Sequence, residues 1–305
     1  MVSKYSIAVL PFVNMSSDKE NEYFSDGITE EILNALSKIE GLHVTARTSS
    51  FAFKNKSINI REIGRKLNVS LILEGTIRKS GNFVRITTQL IKVENGFHIW
   101  SDSWDRELKN IFILQDEIAA IIAEKINADI KSAVTTTDHV IENTDALDLY
   151  LKGIYLLNTW DFKEAEKVIT YFEQALTIDP KFIKAYIGLS NCYTWLGSTG
   201  VMSQKDAQKK VEHYIKKVLA LDKNLPDVYS VIAGKNFFIE WNIPLALENI
   251  NKALKLKPSF FDALMYKGMI LAALGRVEES LDNLFQAERL SCTPKTGQVV
   301  KVEKT

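Results

Sequence analysis

The sequence predicts an α+β domain followed by an all-α superhelix of stacked helix pairs. In the first half, short apolar or alternating runs are separated by turn signals and by amphipathic helical patterns, as in a mixed sheet covered by helices. In the second half every segment is helical, and one phrase recurs as FEQALTIDPKFIKAY at 172–186 and INKALKLKPSFFDAL at 250–264. A repeated helical unit cannot bury its apolar face alone, so it stacks on copies of itself.

The composition is that of an ordinary globular chain. Its 305 residues are 46% hydrophobic and 25% charged with zero formal net charge, which favours two domains and argues against electrostatic attraction to nucleic acid or membranes. Cys192 and Cys292 are too few for a disulfide framework, so we expect buried thiols and a cytoplasmic location. No run approaches the roughly 20 apolar residues of a membrane helix, and Pro11 interrupts the apolar start of the chain.

The first strand and helix can be placed directly. Residues 5–13 are rich in Ile, Val, Leu and Phe, as expected for a central strand buried on both faces. A helix of about 12 residues is predicted after Asp26-Gly27. We expect Asp26 to be its N-cap and Glu30 and Glu31 to lie in its first turn, where the helix dipole favours them. No histidine or further carboxylate joins these acids by spacing, so we expect no catalytic or metal-binding role.

A second strand, predicted at 42–47, leads into a basic stretch. Its cations, interleaved with Phe51 and Phe53, are Arg47, Lys54, Lys56, Arg61, Arg65 and Lys66. Such a mixture could follow a phosphate backbone, which makes nucleic-acid contact through 47–66 an alternative function. We favour a solvated loop followed by a helix with Ile60, Ile63 and Leu67 turned inward, because the net charge does not support nucleic-acid binding.

Alternation with period two then predicts a three-stranded meander. Its strands lie at 71–77, 84–90 and 97–106, and the second turn, Glu94-Asn95-Gly96, contains the strong Asn-Gly hairpin signal. Apolar residues at helical spacing from 111 to 131 predict a helix that covers one sheet face. The predicted domain therefore has a mixed five-stranded sheet and three helices.

Three phrases of this half resemble the TolB-like N-terminal domain, a module found ahead of tetratricopeptide repeats in many bacterial signalling proteins. They are IAVLPFVNMSSDKENEYFSDGITEEI, LILEGTIRKSGNFVRITTQLIKVENGFHIWSDSWDRE and IFILQDEIAAII. In that family the module commonly follows an adenylate or guanylate cyclase domain or a winged-helix DNA-binding domain. The sequence encodes neither, so we expect no cyclase or transcription activity of the chain itself. The resemblance implies structural roles for Pro11, Phe12, Asp26, Gly27, Glu74, Gly75, Trp100, Asp105 and Arg106.

The second half resembles a tetratricopeptide array. A polar linker is predicted at 135–144, between the TolB-like domain at 1–134 and four helix pairs at 145–292. The spacings of a 34-residue unit are matched by Gly234, Phe237, Ala246, Ile250, Ala253 and Pro258. The tail at 293–305 lacks an amphipathic capping helix, which would leave the face around Leu281, Leu284 and Phe285 partly uncovered. Either a partner, self-association or the remainder of a longer chain covers that face, or the last repeat tolerates its exposure.

In tetratricopeptide arrays the first helix of each unit lines a concave, ligand-binding groove. The resemblance places the partner-binding positions at Lys184, Ile187, Asn191, Thr194, Val231, Lys235, Phe238, Asp262, Met265 and Met269. In the first unit these positions are Tyr150, Ile154 and Leu157, which we expect the first domain to cover. An apolar floor with two lysines and an amide suits an extended peptide or helix of modest negative charge. A chaperone-type carboxylate clamp is not expected, because three of its positions hold Ile187, Gly188 and Val228.

These patterns predict a non-enzymatic scaffolding or regulatory protein of bacterial signalling that binds a protein or peptide without a cofactor or metal. No ligand or triad spacing connects the four histidines, His43, His98, His139 and His213. An alternative is the regulatory region of a nucleotide cyclase whose catalytic domain is absent here. Under the main hypothesis, the substitution Lys235→Glu weakens partner capture without unfolding the chain.

Overall fold

The computed structural model describes residues 5–126 and 143–291, apart from positions 19, 20, 38, 40 and 160. These residues form an α+β domain followed by an all-α array of helix pairs, which confirms the predicted fold class. Most of the predicted linker at 135–144 lies outside the described residues, as do His139, Cys292 and the tail at 293–305.

The strands form one mixed sheet. They are β1 (Ser6–Val9), β2 (Val13–Asn14), β3 (His43–Val44), β4 (Leu71–Ser80), β5 (Phe83–Lys92) and β6 (His98–Glu107). Their order is β3-β1-β4-β5-β6, with β2 also paired to β4. β1 is parallel to both neighbours and buried, as predicted, while β4, β5 and β6 form the antiparallel meander. The sheet has one strand more than predicted, because the chain leaves β1 near Pro11, which has no N–H, and pairs again with β4 as β2.

Helices pack on both faces of the sheet. They are α1 (Glu22–Leu36), α2 (Arg47–Phe51), α3 (Ile60–Lys66) and α4 (Ile111–Ile126). α1 and α4 share a core with Ile7 and Val9 of β1, whereas α3 buries Ile63 and Leu67 against Ala8, which points to the other face. The predicted second strand is shorter than expected, and its end is replaced by α2. Five residues are too few to show a helical period in the sequence.

The described residues of the second half form four helix pairs. They are α5 (Thr144–Leu157) with α6 (Ala165–Ile178), α7 (Ile183–Ser198) with α8 (Gln204–Leu221), α9 (Pro226–Phe238) with α10 (Ile243–Leu256), and α11 (Phe261–Ala273) with α12 (Val277–Ser291). Glycine permits the close approach within pairs. A Cβ atom on Gly153 would lie 2.6 Å from the Phe172 ring, and one on Gly268 would lie 2.5 Å from the Leu284 side chain.

The predicted start of α1 is wrong. The helix begins at Glu22, and Asp26 lies inside it, buried and bonded to Lys54, whose Nζ donates to both carboxylate oxygens at 2.6 and 2.7 Å. Glycine disfavours helix interiors, so the sequence suggested a start after Gly27. A Cβ atom on Gly27 would lie 2.5 Å from Cδ2 of Leu151, so this glycine lets α5 approach α1. Glu30 and Glu31 are consequently in the body of the helix rather than its first turn.

The two halves of the chain share one hydrophobic core. A single cluster of buried side chains extends from the sheet, α1 and α4 into α5 and onward to α9. The contact between α1 and α5 joins the two parts.

Candidate protein-binding surface

Helix α1 lies along the first helix of the repeat array. The Tyr23 hydroxyl donates to Asp148 Oδ1 at 2.5 Å, and the Tyr150 hydroxyl donates to Glu31 Oε1 at 3.1 Å. Burial and the neighbouring carboxylates raise the pKa of Tyr150 well above its ordinary value, so its hydroxyl remains a donor. The expectation that the first domain covers the inner positions of the first unit is confirmed for Tyr150, which is 6% exposed.

Glu31 also binds the second repeat. Its Oε2 atom accepts a short hydrogen bond from Nζ of Lys184, at the start of α7. Glu31 is buried, and a buried carboxylate needs a compensating cation and hydrogen bonds. Lys184, predicted to meet a ligand, is therefore engaged by a helix of the same chain.

Glu30 forms a second set of contacts on the same side of α1. Its Oε2 atom lies 2.9 Å from Nε of Arg47 and accepts a hydrogen bond of 3.0 Å from Nδ2 of Asn158. Burial raises the pKa of Glu30 to about 7. The Arg47 guanidinium opposes this rise, and the carboxylates of Glu31 and Asp262 add to it. We call Glu30 and Glu31, together with their partners Arg47, Asn158, Tyr150 and Lys184, the acidic clasp.

The third and fourth repeats also contact the first domain. Ser259, between α10 and α11, donates from Oγ to the Ser37 carbonyl oxygen at 2.8 Å, and α12 contacts α2 and β3. Partial loss of solvation raises the pKa of Asp262 in α11, the Lys257 ammonium opposes this rise, and Asp227 adds to it. α1 or the residue that follows it therefore contacts α5, α7 and the segment between α10 and α11, so α1 lies against the side of the array predicted to hold a ligand.

The ten predicted partner-binding residues therefore fall into three groups. Lys184 and Asp262 lie on the side of the array that faces the acidic clasp, where Lys184 is half-buried and Asp262 keeps an exposed surface. Three residues are buried by the packing of the repeats: Thr194, Val231 and Lys235. The remaining five are at least partly accessible: Ile187, Asn191, Phe238, Met265 and Met269.

The position of Lys235 corrects the sequence-based expectation. The residue is 8% exposed, and its Nζ lies 2.6 Å from Glu240 Oε1 and 3.4 Å from Glu212 Oε1. Glu240 also accepts hydrogen bonds from Asn236 and Gln208. Lys235 therefore links α9, α8 and the turn after α9, and its charge is not presented in the groove. Helical spacing could not reveal this pairing, because neither carboxylate is three or four residues away.

We call the five accessible positions the open groove. Asn191 follows Lys184 and Ile187 on one face of α7, and Met265 and Met269 follow Asp262 on one face of α11. Asn191 is exposed, Met269 is 40% exposed, and the Phe238 ring packs edge-on against Tyr266 at 5.6 Å. At their N-terminal ends, these faces of α7 and α11 lie against α1. At their C-terminal ends they present the Asn191 amide and the flexible thioethers of Met265 and Met269 beside apolar side chains.

Half of the cations in the basic stretch at 47–66 are neutralised within the chain. Three of its six cations form ion pairs: Arg47 with Glu30, Lys54 with Asp26 and Glu22, and Lys66 with Glu62. Arg61 donates to the Asn95 carbonyl oxygen, and Arg47 lies 4.0 Å from the centre of the Phe51 ring. The stretch is thus not a row of free cations of the kind that binds a phosphate backbone.

The described part of the chain holds neither a candidate metal site nor a candidate membrane span. It contains no group of three or more His, Cys, Asp or Glu side chains placed to hold a metal ion. None of its helices combines the length and apolar character required to span a bilayer. Cys192 is buried, as predicted, and burial raises the pKa of its thiol to about 12, which leaves it protonated at neutral pH.

The chain is similar to parts of a protein named as an adenylate cyclase and of a protein named as a transcriptional regulator. Residues 3–121 match the family described as HilA/YgeH-like transcriptional regulator, second domain. "Putative adenylate cyclase 3" of Rhizobium meliloti is 39% identical over 193 residues, which cover 62% of this chain and 32% of the relative. Transcriptional regulator HilA of Salmonella typhimurium is 20% identical over 305 residues, which cover 98% of this chain and 53% of the relative. The chain thus spans about one third to one half of these relatives.

Two solved structures have a low overall similarity to this chain. A thermophilic TPR protein of Thermus thermophilus has a TM-score of 0.43 and 14% identity, over 62% of this chain and 84% of that protein. TolB of Acinetobacter baumannii has a TM-score of 0.31 and 14% identity, over 40% of this chain and 28% of that protein.

Proposed function

We propose that this chain is a non-enzymatic regulatory module that binds another protein through its open groove. The observation that carries this proposal is the division of the concave side of the array. One part is filled by α1 through the acidic clasp, and the adjoining part leaves Asn191 and Met269 accessible. Tetratricopeptide-type grooves take extended peptides or helices, so a partner segment beside α1 fits this geometry.

The relatives support a regulatory role. One is named a transcriptional regulator and the other an adenylate cyclase, and the similar region is only part of each. A region common to proteins with such different outputs is best explained as a shared module that senses or binds, while DNA binding or nucleotide cyclisation belongs to other parts of those relatives.

The contacts of the lysines refine the expected ligand. Lys184 is bonded to Glu31, and Lys235 to Glu240, so neither offers a free charge to a negatively charged peptide. Among the predicted positions, Asn191, Asp262 and Met269 are exposed, and Ile187, Phe238 and Met265 are partly accessible. The preferred ligand is therefore a largely apolar peptide or helix that bonds Asn191 through a backbone or side-chain polar group.

The test is affinity capture with matched variants. The wild-type chain, the groove variant Asn191→Arg/Met269→Glu and the control variant Lys216→Glu/Leu221→Ser, altered on the exposed surface of α8, are used as bait in lysate of the organism that encodes the chain. Groove substitutions at an interaction hot spot should lower recovery of a specific protein by about tenfold or more, whereas the control retains it. Equal recovery by all three folded baits would refute the open groove.

Two alternatives have their own tests. Similarity to a cyclase favours a regulatory region of such an enzyme. The isolated chain should then convert neither ATP nor GTP, yet change the rate of a cyclase catalytic domain added in trans. Similarity to a transcriptional regulator favours nucleic-acid contact through 47–66. That contact would appear as duplex binding with a steep salt dependence, which the ion-paired cations argue against.

A further inference from the structure

Helix α12 exposes an apolar strip that is separate from the open groove. Val277, Leu281 and Phe285 occupy positions i, i+4 and i+8, so they share one face of the helix. They are 60%, 45% and 47% exposed. An exposed apolar stripe on a helix of a soluble array indicates a contact surface.

The equivalent positions of the preceding repeat show which kind of surface fits this strip. When Gly268 is aligned with Gly234, Val277 and Leu281 correspond to Ile243 and Leu247 of α10. Those two residues belong to a hydrophobic cluster that includes Tyr266 of the next repeat. Val277 and Leu281 thus occupy positions through which one repeat packs on helices of its neighbour, and a helix is the element that matches them.

Trp241 extends the strip along the turn edge of the array. It follows α9 with φ of 53°, whereas the turns after α7 and α11 place Gly200 and Gly275 in this left-handed region. A bulky residue is strained there and a glycine would fold more readily, yet the indole is 68% exposed. Strain of this kind at an exposed aromatic residue makes its side chain a candidate for a contact.

The turn after α11 lies on the same edge, because α9 and α11 pack against each other. It exposes Leu274 by 41%. We therefore define the C-terminal apolar strip as Trp241, Leu274, Val277, Leu281 and Phe285.

The margin of the strip is acidic. Glu278 and Asp282 lie beside it on α12, and both are exposed. Glu279 pairs with Arg276 at 2.6 Å, but neither Glu278 nor Asp282 has an ion-pair partner among the described residues. From 277 to 287, α12 carries no basic side chain. Its charge is therefore complementary to a basic partner, while a second copy of α12 would bring like charges together.

We propose that the C-terminal apolar strip binds an amphipathic helix of another protein, with lysine or arginine residues flanking its apolar stripe. The apolar stripe covers Val277, Leu281 and Phe285, with Trp241 at the edge of the contact. The flanking cations pair with Glu278 and Asp282. This binding uses a different surface from the open groove and does not depend on it.

The test uses two designed helical peptides of about 18 residues, long enough to fold on a surface. Both carry leucine at i, i+4 and i+8, one with lysine flanks and the other with glutamate flanks. In fluorescence anisotropy at about 0.1 M salt, the basic peptide should bind at least about tenfold more tightly than the acidic one. Leu281→Ser/Phe285→Ser should abolish this binding, whereas Leu256→Ser, at a similarly exposed leucine of α10, should not. Reversal of the margin by Glu278→Lys/Asp282→Lys should make the acidic peptide the preferred one.

Several results would overturn the proposal. The proposal fails if neither peptide binds or if both bind with equal affinity. It also fails if the Glu278→Lys/Asp282→Lys variant still prefers the basic peptide. Loss of binding in Asn191→Arg/Met269→Glu would place the peptide in the open groove instead. A dimer in sedimentation that Leu281→Ser dissociates would assign the strip to a second copy of the chain.

Discussion

At the scale of single residues, Glu30 is the carboxylate with the clearest pH signature. Its pKa is raised from 4.5 to about 7 in the folded chain. The folded state therefore binds more protons than the unfolded state between these values. Stability gained from protonation at low pH is lost as the pH rises through this window.

We expect Glu30→Gln to flatten this dependence. At one pKa unit per about 1.4 kcal/mol, Glu30 lowers the free energy of unfolding by at most about 3 kcal/mol between pH 5 and pH 8. The glutamine amide does not titrate in this range. The free energy of unfolding of the variant should therefore increase relative to that of the wild type as the pH rises. Urea titrations at pH 5, 6, 7 and 8 measure the difference, with Glu62→Gln at an exposed pair as the control. Parallel pH profiles for Glu30→Gln and wild type would contradict the assignment.

Lys235 gives the second prediction at this scale. Lys235→Met removes the cation between Glu240 and Glu212, so it should destabilise the chain by about 1–3 kcal/mol. Lys252→Met, at an exposed pair with Glu248, should change stability by less than about 0.5 kcal/mol. Denaturant unfolding compares the two. A loss for Lys235→Met no larger than that of the control would show that the buried network is not structural. Lys235→Glu cannot test ligand binding, because it would place a third carboxylate in this network.

At the scale of elements, the close contact between α1 and α5 depends on Gly27, which has no side chain. In an exposed helix Gly→Ala gains roughly 1 kcal/mol from helix propensity. At Gly27 the added Cβ would lie 2.5 Å from Leu151 Cδ2, inside a packed core.

Gly27→Ala should therefore destabilise the chain by about 1–3 kcal/mol, the cost of overpacking. Leu151→Ala alone leaves a cavity, but the double variant removes the clash and should be more stable than the sum of the two single effects implies. Thermal and denaturant unfolding of the four proteins gives the coupling. Additive effects, or a stabilising Gly27→Ala, would be inconsistent with this helix contact.

The elements also show what the sequence can and cannot predict. The meander, the helix pairs and the inward side of α3 follow from local periodicity, and each was found where predicted. The start of α1 was missed because the reason for Gly27 lies in Leu151, far along the chain. The acidic pair Glu30 and Glu31 was interpreted as part of a helix terminus for the same reason: its partners come from α5 and α7.

At the scale of the whole molecule, the repeats and the first domain form one body. The continuous core and the acidic clasp tie α1 to the array. From the sequence we expected the first domain to cover the inner positions of the first unit, but not that α1 would also bind Lys184 of the second unit. That distinction decides which predicted residues are open to a partner: Asn191 and Met269 are, while Lys184 and Lys235 are engaged.

A shared core predicts cooperative unfolding. We expect one transition in calorimetry, with the calorimetric and van't Hoff enthalpies equal, although most chains of this length unfold in more than one step. Two resolved transitions would mean that the α+β domain and the array are separate folding units.

The most direct test of the proposed function is photocrosslinking inside cells of the organism that encodes the chain. A photoreactive residue replaces Met269 in the open groove or, as a control, the similarly exposed Leu221 of α8. The proposal predicts a discrete protein adduct from position 269 that is absent from position 221 and is lost when Asn191→Arg is added. No adduct from position 269, or the same adducts from both positions, would contradict binding through the open groove.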